Sequence, residues 1–206
     1  MTQSAATAWE RQVAGCATLD ELAALARGCT RCGLRAGCNR VVFGEGHERA
    51  RLCLIGEGPG AREDELGRPF VGAAGQLLDR ILDVAGFRRE QVYITNVVLC
   101  RPPGNRVPAD EEIAACQPYL ERRLQLLDPG IVVLLGATAL RAVVDPRASI
   151  SQTRGRWQRR DNRFVMATYH PAYLLRNPAA KTATWTDFRM VSELYRRLYG
   201  VPGQGA

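Results

Sequence analysis

Cys29 and Cys32 form a Cys-x-x-Cys pair in a segment of glycine and arginine rather than on an apolar face. Thiols at that spacing can face one metal ion or cluster together. Cys38 follows closely, Cys100 ends an apolar run, and Cys116 lies sixteen residues beyond it. If the fold gathers these loops at one end of a sheet, four thiolates suit a structural zinc or an iron–sulfur cluster. Spacing does not separate the two, and it leaves Cys38 undecided. Cys53, inside the run Leu52–Ile55, and Cys16 are expected as small buried apolar residues. The seven cysteines are an odd number, which disfavours a disulfide framework.

Four further segments carry polar chemistry. Gly56-Glu57-Gly58-Pro59-Gly60, with Glu63 and Asp64 behind it, follows an apolar run and lets backbone approach a ligand closely. It lacks the Lys-Ser/Thr ending of a phosphate loop, so a nucleotide-binding protein is a weak alternative. Gly67-Arg68-Pro69-Phe70-Val71-Gly72 holds an aromatic ring between Pro and Gly residues, a stacking platform or a core residue. Asn96 ends a β-branched run, where an amide is unfavourable unless it has a task. His170 opens Pro171-Ala172-Tyr173-Leu174-Leu175-Arg176 and is one of two histidines. The other, His47, has the context of a surface loop.

The elements that must position these groups follow from patterning. Ser4 to Arg27 is expected to be helical, and Cys29 to Asn39 a loop. Strands are expected at Arg51–Gly56, Val92–Val98, Ile131–Leu135 and Arg163–Thr168. Helices are expected from Gly72 to Gly86, with Leu77, Leu78, Ile81, Leu82 and Ala85 on one face, from Pro108 to Leu127, after Gly136, and from Lys181 to Tyr199. Residues Arg154–Arg163 read as a basic loop containing Trp157, and the tail 200–206 as frayed. Strands alternating with helices argue for an α/β protein, a mainly parallel sheet covered on both faces.

Composition bounds the rest. With 206 residues and 46% hydrophobic content the chain reads as one globular domain, 1–206. The longest apolar stretch, Ile131–Leu140, is far short of the about 20 residues that span a bilayer. No basic-then-apolar leader opens the sequence, so a cytoplasmic location is expected. Net charge is +7, and of 28 basic residues only Lys181 is a lysine. GC-rich codon usage explains the arginine preference; the excess of base over acid is compatible with a nucleic acid partner.

Taken in order, Gly56-Glu57-Gly58-Pro59-Gly60, Arg68-Pro69-Phe70-Val71-Gly72, Thr95 through Arg106 and His170-Pro171-Ala172 resemble the family 4 uracil-DNA glycosylases. The resemblance runs over residues 20–198. It implies a three-layer α/β/α sandwich with a four-stranded, mainly parallel central sheet. It also implies a 4Fe–4S cluster on Cys29, Cys32, Cys100 and Cys116, which chooses iron over zinc and leaves Cys38 out. By the same resemblance Phe70 stacks on a flipped uracil, Asn96 reads its O4 and N3–H edge, and His170 bonds O2 as the base leaves. Glu57 and the Gly58 backbone line the sugar side and place the water, while Glu63 discourages a 5-methyl group. Leu174, Leu175 and Arg176 would fill the gap in the base stack, and Arg101 and Arg106 would meet phosphates.

The implied activity is monofunctional: hydrolysis of the N-glycosidic bond of deoxyuridine in single- or double-stranded DNA by a monomer, the first step of base excision repair. A related branch carries a longer basic insertion ending in His and bonds covalently to the abasic sugar. Here Gly104-Asn105-Arg106-Val107-Pro108 is short and has no His, so release of product is expected. Two other classes compete: an iron–sulfur DNA-binding damage sensor of the same fold, and an electron-transfer or structural zinc protein. A sensor has no need of both Asn96 and His170.

Overall fold

The computed structural model describes residues 7–202. Four parallel strands form its centre: β2 (Leu52–Gly56), β3 (Tyr93–Asn96), β4 (Ile131–Leu135) and β6 (Arg163–Thr168). Two short antiparallel strands, β1 (Glu45–Gly46) and β5 (Gln158–Arg160), extend the sheet to six in the order β1-β3-β2-β4-β6-β5. The parallel core matches the expectation; the two edges were not foreseen. β5 lies in the expected basic loop, and its Gln-Arg-Arg sequence has no apolar alternation to betray it. It is a strand because Asp161, at φ +51°, turns the chain back onto β6.

Side chains of the central strands alternate between two apolar layers. Cys53, Ile55, Val132 and Leu134 face a core closed by the helices α1 (Ala8–Gly15), α2 (Leu19–Arg27), α6 (Asp110–Leu127) and α7 (Ala137–Val143). Leu52, Leu54, Val133 and Leu135 face the other core, closed by α5 (Ala73–Ala85) and α10 (Lys181–Tyr199). Period-two alternation in fully buried strands gives three layers. Cys53 is buried as expected, and Cys16 lies at the end of α1.

The expected first helix is in fact two, and its start at Ser4 lies outside the described residues. Thr18 takes an extended conformation and caps the Glu21 N–H, which starts a new helix. Arg122 of α6 donates to the Cys16 carbonyl at 2.6 and 2.9 Å and fixes the break. Short helices α3 (Leu34–Gly37), α4 (Ala61–Leu66), α8 (Ile150–Thr153) and α9 (Pro171–Arg176) fill the connections. No helix of the described chain is long and apolar enough to cross a membrane.

Candidate active site

Strand register brings the chemistry together. Gly56 pairs with Asn96 and Leu135 with Thr168, so the four parallel strands end at one edge. From β2 the chain first adds β3 on one side and later β4 on the other. The crevice where the order reverses is where open α/β sheets bind ligands. A cavity of about 540 Å³ opens there, lined by Glu57, Gly58, Glu63, Phe70, Asn96 and His170 among others. These are the six residues expected for base binding and catalysis.

Asn96 is buried, and its Oδ1 has no hydrogen-bond partner. A buried acceptor left unpaired is costly, so a ligand donor facing it is favoured. Gly56 makes the close packing possible: a Cβ there would lie 2.5 Å from both Asn96 Oδ1 and the Phe70 ring. Phe70 sits at φ +51°, an uncommon conformation for an aromatic residue. Arg89 holds it in place. Its guanidinium donates to the Phe70 carbonyl at 3.1 Å and the Pro69 carbonyl at 2.5 Å, and is anchored by Asp79 at 2.7 Å and Glu45 at 2.8 Å.

His170 caps α9. Its Nδ1 accepts the Ala172 N–H at 3.1 Å, which leaves the proton on Nε2. Burial, reinforced by Arg176, lowers its pKa to about 4. The ring is therefore a neutral Nε2–H donor at neutral pH. Glu57 is half-buried, and its carboxylate accepts from the Thr138 hydroxyl. Thr138 lies in the cavity wall and gave no signal in the sequence beyond a Gly-Ala-Thr turn after an apolar strand.

Glu63 lines the cavity, yet both of its oxygens are engaged. Oε1 accepts from Val71 and Gly72 at 2.9 and 2.8 Å, and Oε2 from Gly60 at 3.1 Å. The carboxylate clasps the glycine loop to the Phe70 segment.

The residues expected to face DNA divide. Arg176 is exposed at the cavity rim. Arg106 is also at the rim but is paired with Glu112 at 2.6 and 2.8 Å. Arg101 lies just outside, bonded to Asn105 at 2.8 Å. Leu174 must be corrected: it is 0% exposed and cannot enter a base stack. In α9 the side chain at 174 points into the protein, while Tyr173 and Leu175, 38% and 43% exposed, point out. Tyr173, whose ring centroid is 4.9 Å from that of Tyr169, and the exposed Arg141 are rim residues that the sequence reading passed over.

On the α6 side of the sheet the cysteines approach one another. The Cys100 thiol is pushed up by burial and by Cys38, Cys116 and Cys32. Burial pushes Cys116 up to about 11, with further contributions from Cys32 and Cys29. Cys32 and Cys116 thus lie within electrostatic range of each other and of both Cys29 and Cys100, with Cys38 beside Cys100. Among the described residues no three Cys, His, Asp or Glu side chains form a ready-made single-ion site. Nearby, Arg123 of α6 is 0% exposed and has no carboxylate partner among the described residues. One nitrogen donates to Thr95 Oγ1 at 2.6 Å, the guanidinium lies 4.1 Å from the Phe43 ring centre, and Nε and Nη2 are unpartnered. A buried cation in that state calls for an anionic neighbour, and Tyr93, Cys53 and, more weakly, Cys116 are within its electrostatic range. The donor set and this unpaired charge fit an anionic thiolate cluster.

The cavity at the sheet edge thus brings together an unpaired amide acceptor, a neutral histidine donor and a glycine-loop carboxylate. The family model of the uracil DNA glycosylase superfamily matches residues 43–189, and the chain belongs to that superfamily. It is 49% identical over 153 residues to the type-4 uracil-DNA glycosylase of Thermotoga maritima, covering 72% of this chain and 79% of that one. It is 39% identical to the type-4 uracil-DNA glycosylase of Archaeoglobus fulgidus, over 86% of this chain and 93% of the relative. A type-5 uracil-DNA glycosylase of Thermus thermophilus is 38% identical over 51% of this chain and 54% of its own.

Proposed function

We propose that the protein is a monofunctional uracil-DNA glycosylase that starts base excision repair. It would act in the cytoplasm as a monomer on a deoxyuridine extruded from DNA. The observation that carries the reading is the buried Asn96 amide, its Oδ1 unpaired, in the wall of the same cavity as the His170 donor. Uracil presents N3–H and O4 to such an amide. Cytosine presents the opposite pattern and would leave the amide mismatched.

The bond broken is C1′–N1. As it lengthens, positive charge gathers on the sugar and negative charge on uracil N1 and O2. His170, neutral and donating from Nε2, stabilises the charge on O2 without surrendering its proton. Glu57 orients water toward C1′ and faces the cationic sugar; the water oxygen bonds C1′ and its proton goes to solvent. Phe70 stacks on the base and Glu63 holds the loops that enclose it. Leu175 and Tyr173 occupy the space the base vacates, and Arg176, Arg106 and Arg101 meet phosphates, Arg106 by exchanging Glu112 for DNA.

Cys29, Cys32, Cys100 and Cys116 would hold a 4Fe–4S cluster, whose contribution is to order the loops they belong to. No step of the hydrolysis passes through it. The test is a labelled oligonucleotide bearing one deoxyuridine, treated with wild type or His170→Ala and then with alkali. The expected result is a break at the uracil, reduced about 100- to 1000-fold in the variant. No break with protein that still binds DNA would favour the damage sensor instead.

A further inference from the structure

The β4–α7 turn reaches both sides of the cavity. Gly136, at φ +96°, lies so close to His170 that a Cβ would stand 3.0 Å from the histidine's own. Two residues on, the Thr138 hydroxyl donates to Glu57 Oε2 across the crevice between β4 and β2. Among the described residues this hydroxyl is the one hydrogen-bond partner of the Glu57 side chain. Thr138 is itself buried, with its place fixed by the first turn of α7.

We propose that Thr138 is the positioning residue for Glu57. A glutamate on a glycine-flanked loop has three rotatable bonds and no other partner to select a rotamer. The hydroxyl gives its single proton to Oε2 and so leaves Oε1 as the acceptor for the attacking water. Because the same turn packs on His170, the water side and the leaving-group side of the glycosidic bond share one reference point. This rests on the reading of Glu57 as the group that orients water, and it adds a residue that the sequence motifs did not mark.

The test is single-turnover cleavage of the deoxyuridine oligonucleotide by Thr138→Val, Thr138→Ser, Glu57→Ala and the Glu57→Ala/Thr138→Val double variant. Affinity for an oligonucleotide carrying a stable abasic-site analogue is measured beside it. Thr138→Val keeps the shape and removes the hydroxyl. It is expected to slow cleavage about 10- to 100-fold, as loss of alignment does, with affinity within about twofold of wild type. Thr138→Ser should recover most of the rate. In the Glu57→Ala background Thr138→Val should cost nothing more, because the two residues act as one unit.

Wild-type cleavage by Thr138→Val, with Glu57→Ala crippled, would overturn the proposal and leave the reading of Glu57 intact. Losses that multiply in the double variant would overturn it too. Full activity of Glu57→Ala would remove the reading of Glu57 itself. Should Thr138→Val not fold, Thr138→Ser and Thr138→Ala carry the comparison: activity of the alanine variant equal to that of serine overturns the proposal.

Discussion

The rings of Phe70 and His170 lie with centroids 5.5 Å apart and planes inclined by 32°. Phe70 and His170, proposed as stacking platform and leaving-group donor, therefore share one wall of the cavity. Neither position is autonomous. Phe70 depends on a strained backbone, and His170 on the cap of a six-residue helix.

Arg89 is what keeps the Phe70 backbone in place, through two carbonyls and two carboxylates. Arg89→Met leaves Glu45 with only Arg68 and frees both carbonyls. It is expected to destabilise the fold by about 2 kcal/mol, the cost of losing charged hydrogen bonds in a half-buried site. Cleavage at subsaturating DNA should fall about tenfold, with a smaller change at saturation. Chemical denaturation and initial rates check both; unchanged kinetics would mean that Phe70 holds its conformation alone.

His170 makes stability depend on pH. Its folded pKa is about 4 against an ordinary value of 6.5. Above pH 6.5 both folded and unfolded forms are neutral, and its contribution is complete. As pH falls from 6.5 to 4 the unfolded chain takes up the proton first, and stability drops by at most about 3 kcal/mol. His170→Gln should flatten that part of the profile. The difference between the two urea-denaturation curves, from pH 7 to pH 4, isolates the effect from the carboxylates. Parallel curves would contradict it.

Cys100→Ala is expected to abolish the broad visible absorbance of an iron–sulfur cluster and to lower the melting temperature. It leaves three thiolates and the unpaired Arg123 cation. Iron analysis and a thermal melt, each on protein purified without oxygen, provide the readout. A colourless variant as stable as wild type would mean that the cysteine loops are ordered without metal.

Cleavage should end in release of the abasic product. Residues 103–105 form a single 3₁₀ turn followed by Arg106, and no histidine or other nucleophile occupies that loop. A denaturing gel of enzyme mixed with deoxyuridine DNA should show no protein–DNA band surviving heat and detergent.

The parallel strands and the polar residues at their ends were legible because both signals are local. β-branched runs mark buried strands; Asn96 ends one, and Glu57 and His170 each follow one. What the sequence hid depends on partners distant along the chain. Thr138 means little until β4 lies beside β2, and Arg89 reads as a surface charge until Glu45 and the Phe70 carbonyls converge on it. Leu174 misled because a run of two leucines and an arginine suits a wedge, whereas successive side chains of a helix turn by about 100° and carry 174 into the interior between two exposed neighbours. β5 escaped because an edge strand owes its existence to its partner, not to its own apolar content.

The burial of Leu174 has a mechanical meaning. A side chain that presses into a base stack is pressed back with equal force. Leu175 and Tyr173 stand out from α9, and Leu174 between them is rooted in the protein interior. If Leu175 and Tyr173 enter the base stack as proposed, the load on α9 falls on a helix whose middle is anchored in the core, with His170 at its head.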